Sequence, residues 1–464
     1  MRLGKKIMAA VTAGVCALSM AACSSGSASS ESTDLQYKDI KLGTTGKDIK
    51  ATIKFFNGRT DMAQDSYPGT TWKQYVAKFN KLYPNITVKV EAGTDYEQSA
   101  LTRLQGGDWG DIMMIPAVDQ SELSNYFLPF GKLEDMSKLV KYVYNKEYKG
   151  TVYGIPSDGN ALGLVYNKKV FREAGVTELP KTPEEFISAL KTIKEKTSAT
   201  PLYTNYAAGW TMGAWDAYIG TNATGDAKYM SQNLLHTKDP FADPQDGTHA
   251  YNVYKILYDA VSEGLTEDDY STTDWEGSKT KMNNGEIATM ALGAWAVGQM
   301  KNAGDNPDDV GYMPFPISVD GKQYTASAPN YAFGINKDSG KNNQEASMIF
   351  VKWLIEKSNY AYNEGGISVA KNDDRLPEAY EAFADVTFLE DEASLKGEED
   401  LFNNLNSESE LGINAGGDAR VQAIVEHAAN KDQKYDDIVK EWNEKWNAAL
   451  ESEGVDVKYT TVAK

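Results

Sequence analysis

The sequence predicts an α/β fold, and three observations carry that expectation. First, "KATIKFF" (Lys50–Phe56), "ITVKV" (Ile86–Val90) and "DIMMI" (Asp111–Ile115) read as strands, the first alternating like a half-buried strand and the last apolar throughout. Second, "TTWKQYVAKFNKLYP" places Trp72, Tyr75, Val76, Phe79 and Leu82 at i, i+3, i+4, i+7 and i+10, an amphipathic helix closed by Pro84, and another helix is expected over Tyr96–Leu104. Third, this alternation of strand and helix calls for a parallel sheet with right-handed crossovers. In such sheets ligands gather outside the carboxyl ends of the strands. Those ends are Asn57-Gly58-Arg59 and the segment from Ile115 to Asp119. A chain of 464 residues is too long for one small core, so two or more domains are expected.

Further helices are legible downstream. Thr182 can cap, Pro183 suits a first turn and Glu185 completes a capping box, after which Phe186, Ile187, Leu190 and Ile193 supply a buried face. Ala346, Ile349, Phe350, Trp353 and Leu354 form another apolar stripe, and Ile438, Val439, Trp442, Trp446 and Leu450 a third. Tryptophans at that spacing are read as core. In "YGIPSDGNALGLVYNKKVF" (Tyr153–Phe171) two strand-like pieces flank the polar interruption Ser157-Asp158-Gly159-Asn160, which is unusually short for a surface loop.

Composition narrows the function classes. Hydrophobic residues are 41% and charged residues 24%, ordinary for a folded soluble domain, while a formal charge of −19 argues against a nucleic-acid surface. Arg2, Lys5 and Lys6 followed by the apolar run Ile7–Leu18 read as a secretory signal. It ends in "LSMAAC", so residues 1–22 are expected to be removed and Cys23 to become the lipidated first residue. Cys16 leaves with the signal, so no disulfide, thiol nucleophile or cysteine metal site is expected. The ten residues after Cys23 hold six serines and one glycine, and residues 23–46 are assigned to a flexible tether.

Several chemistries lack their signatures. There is no G-x-x-x-x-G-K-[ST] phosphate loop, no G-x-S-x-G elbow and no H-E-x-x-H, and the three histidines, His236, His249 and His427, are scattered. "DNPDD" (Asp305–Asp309) lacks the spaced oxygens of a calcium loop. No metal and no cofactor are expected. A glycoside hydrolase with paired carboxylates stays open as an alternative, since 66 acidic residues offer many pairs.

Aromatic residues outside helical stripes stand out instead. Trp109 lies in "GGDWGD", Trp210 and Trp215 in "YAAGWTMGAWDAY", Trp275 after "STTD", and Trp295 at the end of "MALGAW". Flat rings cover the C–H faces of sugars, while Asp, Asn and Arg satisfy the hydroxyls.

"RLQGGDWGDIMMIP", "YGIPSDGNALGLVYNKKVFREAG", "LPKTPEEFISALKTIK", "NNGEIATMALGAWA" and "YAFGINKDSGKNNQEASMIFVKWL", in this order behind a lipobox, resemble the extracellular solute-binding proteins of carbohydrate ABC importers, the maltose-binding type. The resemblance spans nearly all of the mature chain. It implies a two-lobed periplasmic-binding-protein-like fold with hinge crossings and an inter-lobe ligand cleft. One lobe would comprise residues 47–157 and 328–372, the other residues 158–327 and 373–464. It implies a monomer that binds a sugar, an oligosaccharide by preference, without catalysis, and delivers it to ABC permease subunits on the outer face of the membrane. "SDGNALG" matches the first hinge crossing, with Asn160 a polar contact and Asp158 its neighbour. Trp295 matches the stacking tryptophan; Trp210, or else Trp215, the aromatic after the "PLYTNY" strand; and Asp119 an acidic contact. Asn57, Arg59, Tyr331, Asp108, Trp275 and Arg375 complete the candidate set. The family often places an aromatic where this chain has Ile115-Pro116. A binding lipoprotein for another polar solute is the remaining alternative.

Overall fold

A computed structural model describes residues 32–461, apart from residue 95 and residues 415–418. The expected signal and the lipidation site Cys23 lie outside the described residues.

The chain opens with β1 (Ala51–Asn57), α1 (Trp72–Leu82), β2 (Ile86–Ala92), α2 (Tyr96–Gly106) and β3 (Ile112–Met114). After β4 (Ile155–Pro156) it passes into a second half through β5 (Gly159–Asn167), α3 (Pro183–Lys196), β6 (Thr200–Leu202), α4 (Trp275–Asn284), β7 (Ile287–Gly293), β8 (Val310–Pro314) and β9 (Tyr324–Pro329). It returns through β10 (Ala332–Ile335) and α5 (Lys341–Glu356), then leaves again for β11 (Thr387–Leu389) and the closing helix α6 (Tyr435–Ser452).

The first sheet has five strands in the order β2-β1-β3-β10-β4. Its sequence-predicted trio is parallel, with Phe55 opposite both Val90 and Ile112. The returning β10 pairs β3 antiparallel, and β4 pairs β10 antiparallel and so runs with the trio, a mixed edge that the local sequence did not announce. α1 starts as its sequence demands. Thr71 accepts from the Gln74 amide while the Gln74 side chain reaches back to the Thr71 amide, which satisfies two of the free donors of the first turn. Trp72, Tyr75 and Phe79 then bury against Phe350 and Tyr360.

The tether is shorter than composition implied. Residues 32–46 lie on the first half: Tyr37 is fully buried, its amide donates to Phe130 O at 3.0 Å, and Lys352 Nζ donates to its carbonyl at 3.0 Å. The serine-rich composition before it concealed an aromatic anchor, and a buried tyrosine contributes enough apolar area to order a short segment.

The second sheet runs β11-β9-β5-β7-β6, with β8 also paired to β5. Alternation along "ALGLVY" explains why it is packed on both faces. Leu164 and Tyr166 face one apolar cluster with Ala291 and Met313, while Ala161 and Val165 face another with Met290, Leu292 and Tyr312. α3 begins with Thr182 accepting from the Glu185 amide at 3.3 Å, but the Glu185 carboxylate takes the Lys181 amide, one residue before the expected reciprocal partner.

Three crossings join the halves side by side. Ser157 N donates to Tyr331 O at 2.8 Å, Asn330 N to Asp158 O at 3.0 Å, and Gly159 exchanges both backbone bonds with Ile367 at 2.8 and 2.7 Å. The third crossing contains Gly365 (φ +76°) and Gly366, and a Cβ on Gly366 would come within 2.8 Å of the Asp158 side chain. The polar interruption of "SDGN" is thus the place where one sheet ends and the next begins.

Candidate functional site

Three tryptophans converge at one edge of the second sheet. Trp210, Trp275 and Trp295 are each the first residue of a helix. Trp210 and Trp295 follow the carboxyl ends of β6 and β7, which are parallel neighbours. Their ring centroids are 5.3 Å (Trp210–Trp275), 5.7 Å (Trp210–Trp295) and 5.8 Å (Trp275–Trp295) apart. The cluster stays open to solvent, with Trp210 48% and Trp295 36% exposed. Leaving that much aromatic surface in water opposes the hydrophobic driving force, so such a cluster marks a binding surface.

The loops that carry these rings are tied down. Ala207 N donates to Thr273 Oγ1 at 2.7 Å and Asp274 N to Tyr203 Oη at 2.8 Å, which joins the Trp210 loop and the β6 end to the Trp275 loop. Asp274 caps α4 by accepting from Glu276 N and Gly277 N. The Thr204 amide and hydroxyl both donate to Glu267, whose carboxyl is pushed up by burial despite those bonds. Gly293 lets Trp295 fold back onto β7, since a Cβ there would meet the indole Nε1 at 2.6 Å and Asn160 Oδ1 at 3.7 Å.

That contact brings the first crossing to the tryptophans. Asn160 Nδ2 donates to Asn330 Oδ1 at 2.7 Å, and the Asn330 amide nitrogen donates to Asp158 Oδ1. The chain of bonds fixes the Asn160 amide with its carbonyl oxygen toward Trp295, an acceptor ready for a hydroxyl donor. Asp158 itself is enclosed, with Ser157 Oγ donating to its other oxygen at 2.8 Å. Burial raises its carboxyl to about 6, offset in part by the Ser157 and Asn330 bonds.

Other sequence candidates take different places. Trp215 is core, 2% exposed and edge-on to Phe315, because one turn beyond Trp210 the chain has turned inward. Asn57 is fully buried and its amide is spent on Trp72 Nε1, Arg59 N and Glu91 O. Arg59 is burdened by burial, but Asp61 and Glu364 hold its charge, with Glu364 Oε2 at 2.9 Å and Tyr67 sharing that oxygen. Arg375 is clamped by Asp373 and lies over the Tyr362 ring at 5.1 Å. Asp108 is exposed at the turn before the buried Trp109, and Asp119 is exposed ahead of a 3-10 turn without capping it. Tyr331 is 42% exposed at the second crossing, with its hydroxyl donating to Glu97 Oε2 at 2.8 Å. Asn330 and Glu97 were not singled out from sequence; only their cross-chain partners distinguish them from other surface polar residues. Among the described residues no group of His, Cys, Asp and Glu is arranged to hold a metal ion.

Two α/β halves joined by three adjacent crossings, with exposed aromatics and amides at the junction, define a binding protein of the hinged two-lobe class. The family model of bacterial extracellular solute-binding proteins matches residues 63–361, and the chain belongs to that family. The chain is similar to a manno-oligosaccharide-specific solute-binding protein of Bifidobacterium animalis subsp. lactis, solved with mannotriose, at 62% identity. That match covers 90% of this chain and 99% of the other, with a TM-score of 0.85. A second binding protein of an ABC transporter from that organism, solved with mannobiose, is 60% identical over 90% of this chain and 99% of its own, also at 0.85. The multiple sugar-binding protein of Streptococcus mutans serotype c is 28% identical over 320 residues, 66% of this chain and 72% of its own.

Proposed function

We propose that this protein captures a short manno-oligosaccharide outside the cell and delivers it to the permease of an ABC transporter. The observation that carries the reading is the open cluster of Trp210, Trp275 and Trp295 beside Asn160, a stacking face next to a fixed hydrogen-bond acceptor. Identity of 62% and 60% to two proteins solved with mannose oligomers supports the choice of sugar. No bond is made or broken. Binding energy goes into closing the lobes about the crossings, and the closed form is what the permease recognises. A lipid on Cys23 and the remaining serine-rich tether hold the protein at the outer face of the membrane; among the described residues no helix is long and apolar enough to cross it.

Titration calorimetry of the mature protein with mannobiose, mannotriose and maltotriose tests this. Saturable heat with the mannose oligomers is expected, and a ligand at about 100 times its Kd adds about 2.7 kcal/mol to the native state, visible as a raised Tm. Binding of maltotriose alone would overturn the sugar assignment. Retention of a Cys23→Ser variant in the membrane fraction would overturn the anchor.

A further inference from the structure

The tryptophan cluster and Asn160 occupy only the second half of the junction. The facing edge of the first sheet carries a polar cluster with different chemistry. Tyr331 sits on the second crossing, its carbonyl bonded to Ser157 N, and its exposed ring stands edge-on to Tyr96 at 5.7 Å. Its hydroxyl donates to Glu97 Oε2 at 2.8 Å, while Glu97 Oε1 accepts from Ala117 N at 2.5 Å just beyond the carboxyl end of β3. Lys146 is beside them. A Cβ on Gly154 would touch Ile115 Cδ1 at 2.7 Å and Lys146 Cβ at 2.9 Å, so the lysine stem lies against the same strand end.

Lys146 is half-buried, and among the described residues its ammonium is drawn to Glu97 by charge without a direct ion pair or hydrogen bond. Burial lowers its pKa, and the Glu97 carboxylate only partly offsets that. Its stem is packed while the ammonium reaches solvent, so the charge is free to meet a ligand. Glu97 and Lys146 together carry no net charge, which suits a neutral ligand. A carboxylate accepts from one hydroxyl, an ammonium donates to the next, and a phenol does either.

We propose that Glu97, Lys146 and Tyr331 form a hydroxyl-binding subsite on the first half, which takes adjacent hydroxyls of the sugar whose rings lie on the tryptophans. This rests on the reading of the protein as an oligosaccharide binder. Ile115-Pro116 puts no aromatic at these two positions, so recognition here is chiefly by charge-assisted hydrogen bonds, while opposite it stacking is joined by the Asn160 acceptor.

The test is calorimetry with mannotriose on the wild-type protein and on Lys146→Met, Glu97→Gln, Tyr331→Phe and Trp295→Ala, with the ligand-free Tm of each. Lys146→Met and Glu97→Gln are expected to weaken binding on the order of tenfold, with the ligand-free Tm of Lys146→Met unchanged or raised. Tyr331→Phe, at an exposed position, is expected to keep the fold and weaken binding severalfold. Unchanged affinity in Lys146→Met and Glu97→Gln, with Trp295→Ala weakened, would overturn the subsite and leave the function standing. Absence of binding in the wild-type protein to any mannose oligomer would remove the functional reading and the subsite with it.

Discussion

The two tryptophans of "GWTMGAW" are five residues apart and have opposite fates. Trp210 is 48% exposed and touches the exposed indole of Trp295 and the half-buried one of Trp275, whereas Trp215 is 2% exposed and packs on Tyr218 and Phe315. The same contrast separates the candidate polar residues. Asn57, Arg59 and Asp158 have their polar atoms engaged by the fold, while Asn160 keeps its carbonyl toward Trp295. A residue type suited to sugars is therefore not enough; what marks a site is a group that the protein itself leaves unfinished.

The largest expected effect tests the buried side of this contrast. Trp215→Ala removes a fully packed indole and is expected to destabilise the second half by about 3–5 kcal/mol, read by urea unfolding. Retention of wild-type stability would show that the pair is not divided as described.

Asp158 comes next. Its carboxyl is raised from 3.8 to about 6, so the folded state holds the proton more tightly than the unfolded chain. The stabilisation is fully present below about 3.8 and is lost as pH rises through about 6. The wild-type protein is expected to lose on the order of 3 kcal/mol across that window from this group, and Asp158→Asn to flatten that part of the Tm–pH curve. An unchanged slope in the variant would show that other carboxyls govern it.

Trp295→Ala should act on the other side of the comparison. Loss of an exposed stacking face is expected to weaken sugar binding at least about tenfold, or about 1.4 kcal/mol, with a ligand-free Tm close to wild type. Full affinity in the variant would remove Trp295 from the site. The smallest effect on affinity is expected for Arg59→Met, which leaves the Glu364 side chain, 4% exposed, without its ion-pair partner. Affinity is expected to stay unchanged while roughly 3 kcal/mol of stability is lost, because the remaining carboxylate is buried. A large loss of affinity would move Arg59 from scaffold to site.

Much of the fold is visible in local pattern. α1 and its three flanking strands follow from periodicity, and the Thr182 cap from residue type. The strand-like piece at Tyr153–Pro156 was legible, but its pairing with β10, and that of β10 with β3, was not, because a strand contributed from a remote segment has no local signature of the sheet it will join. Tyr37, just beyond a serine-rich stretch, was passed over for the same reason: its partners Phe130 and Lys352 are far along the chain.

The sequence by itself determined many of the elements and the aromatic vocabulary of the site, because periodicity and residue type are local properties. Only the tertiary structure decided which of those residues face outward. Whether an indole fills a core or waits in solvent, and whether an amide serves Trp72 or a ligand, depends on what the crossings bring beside it. That is set by long-range packing and hydrogen-bond saturation, which no window of sequence contains.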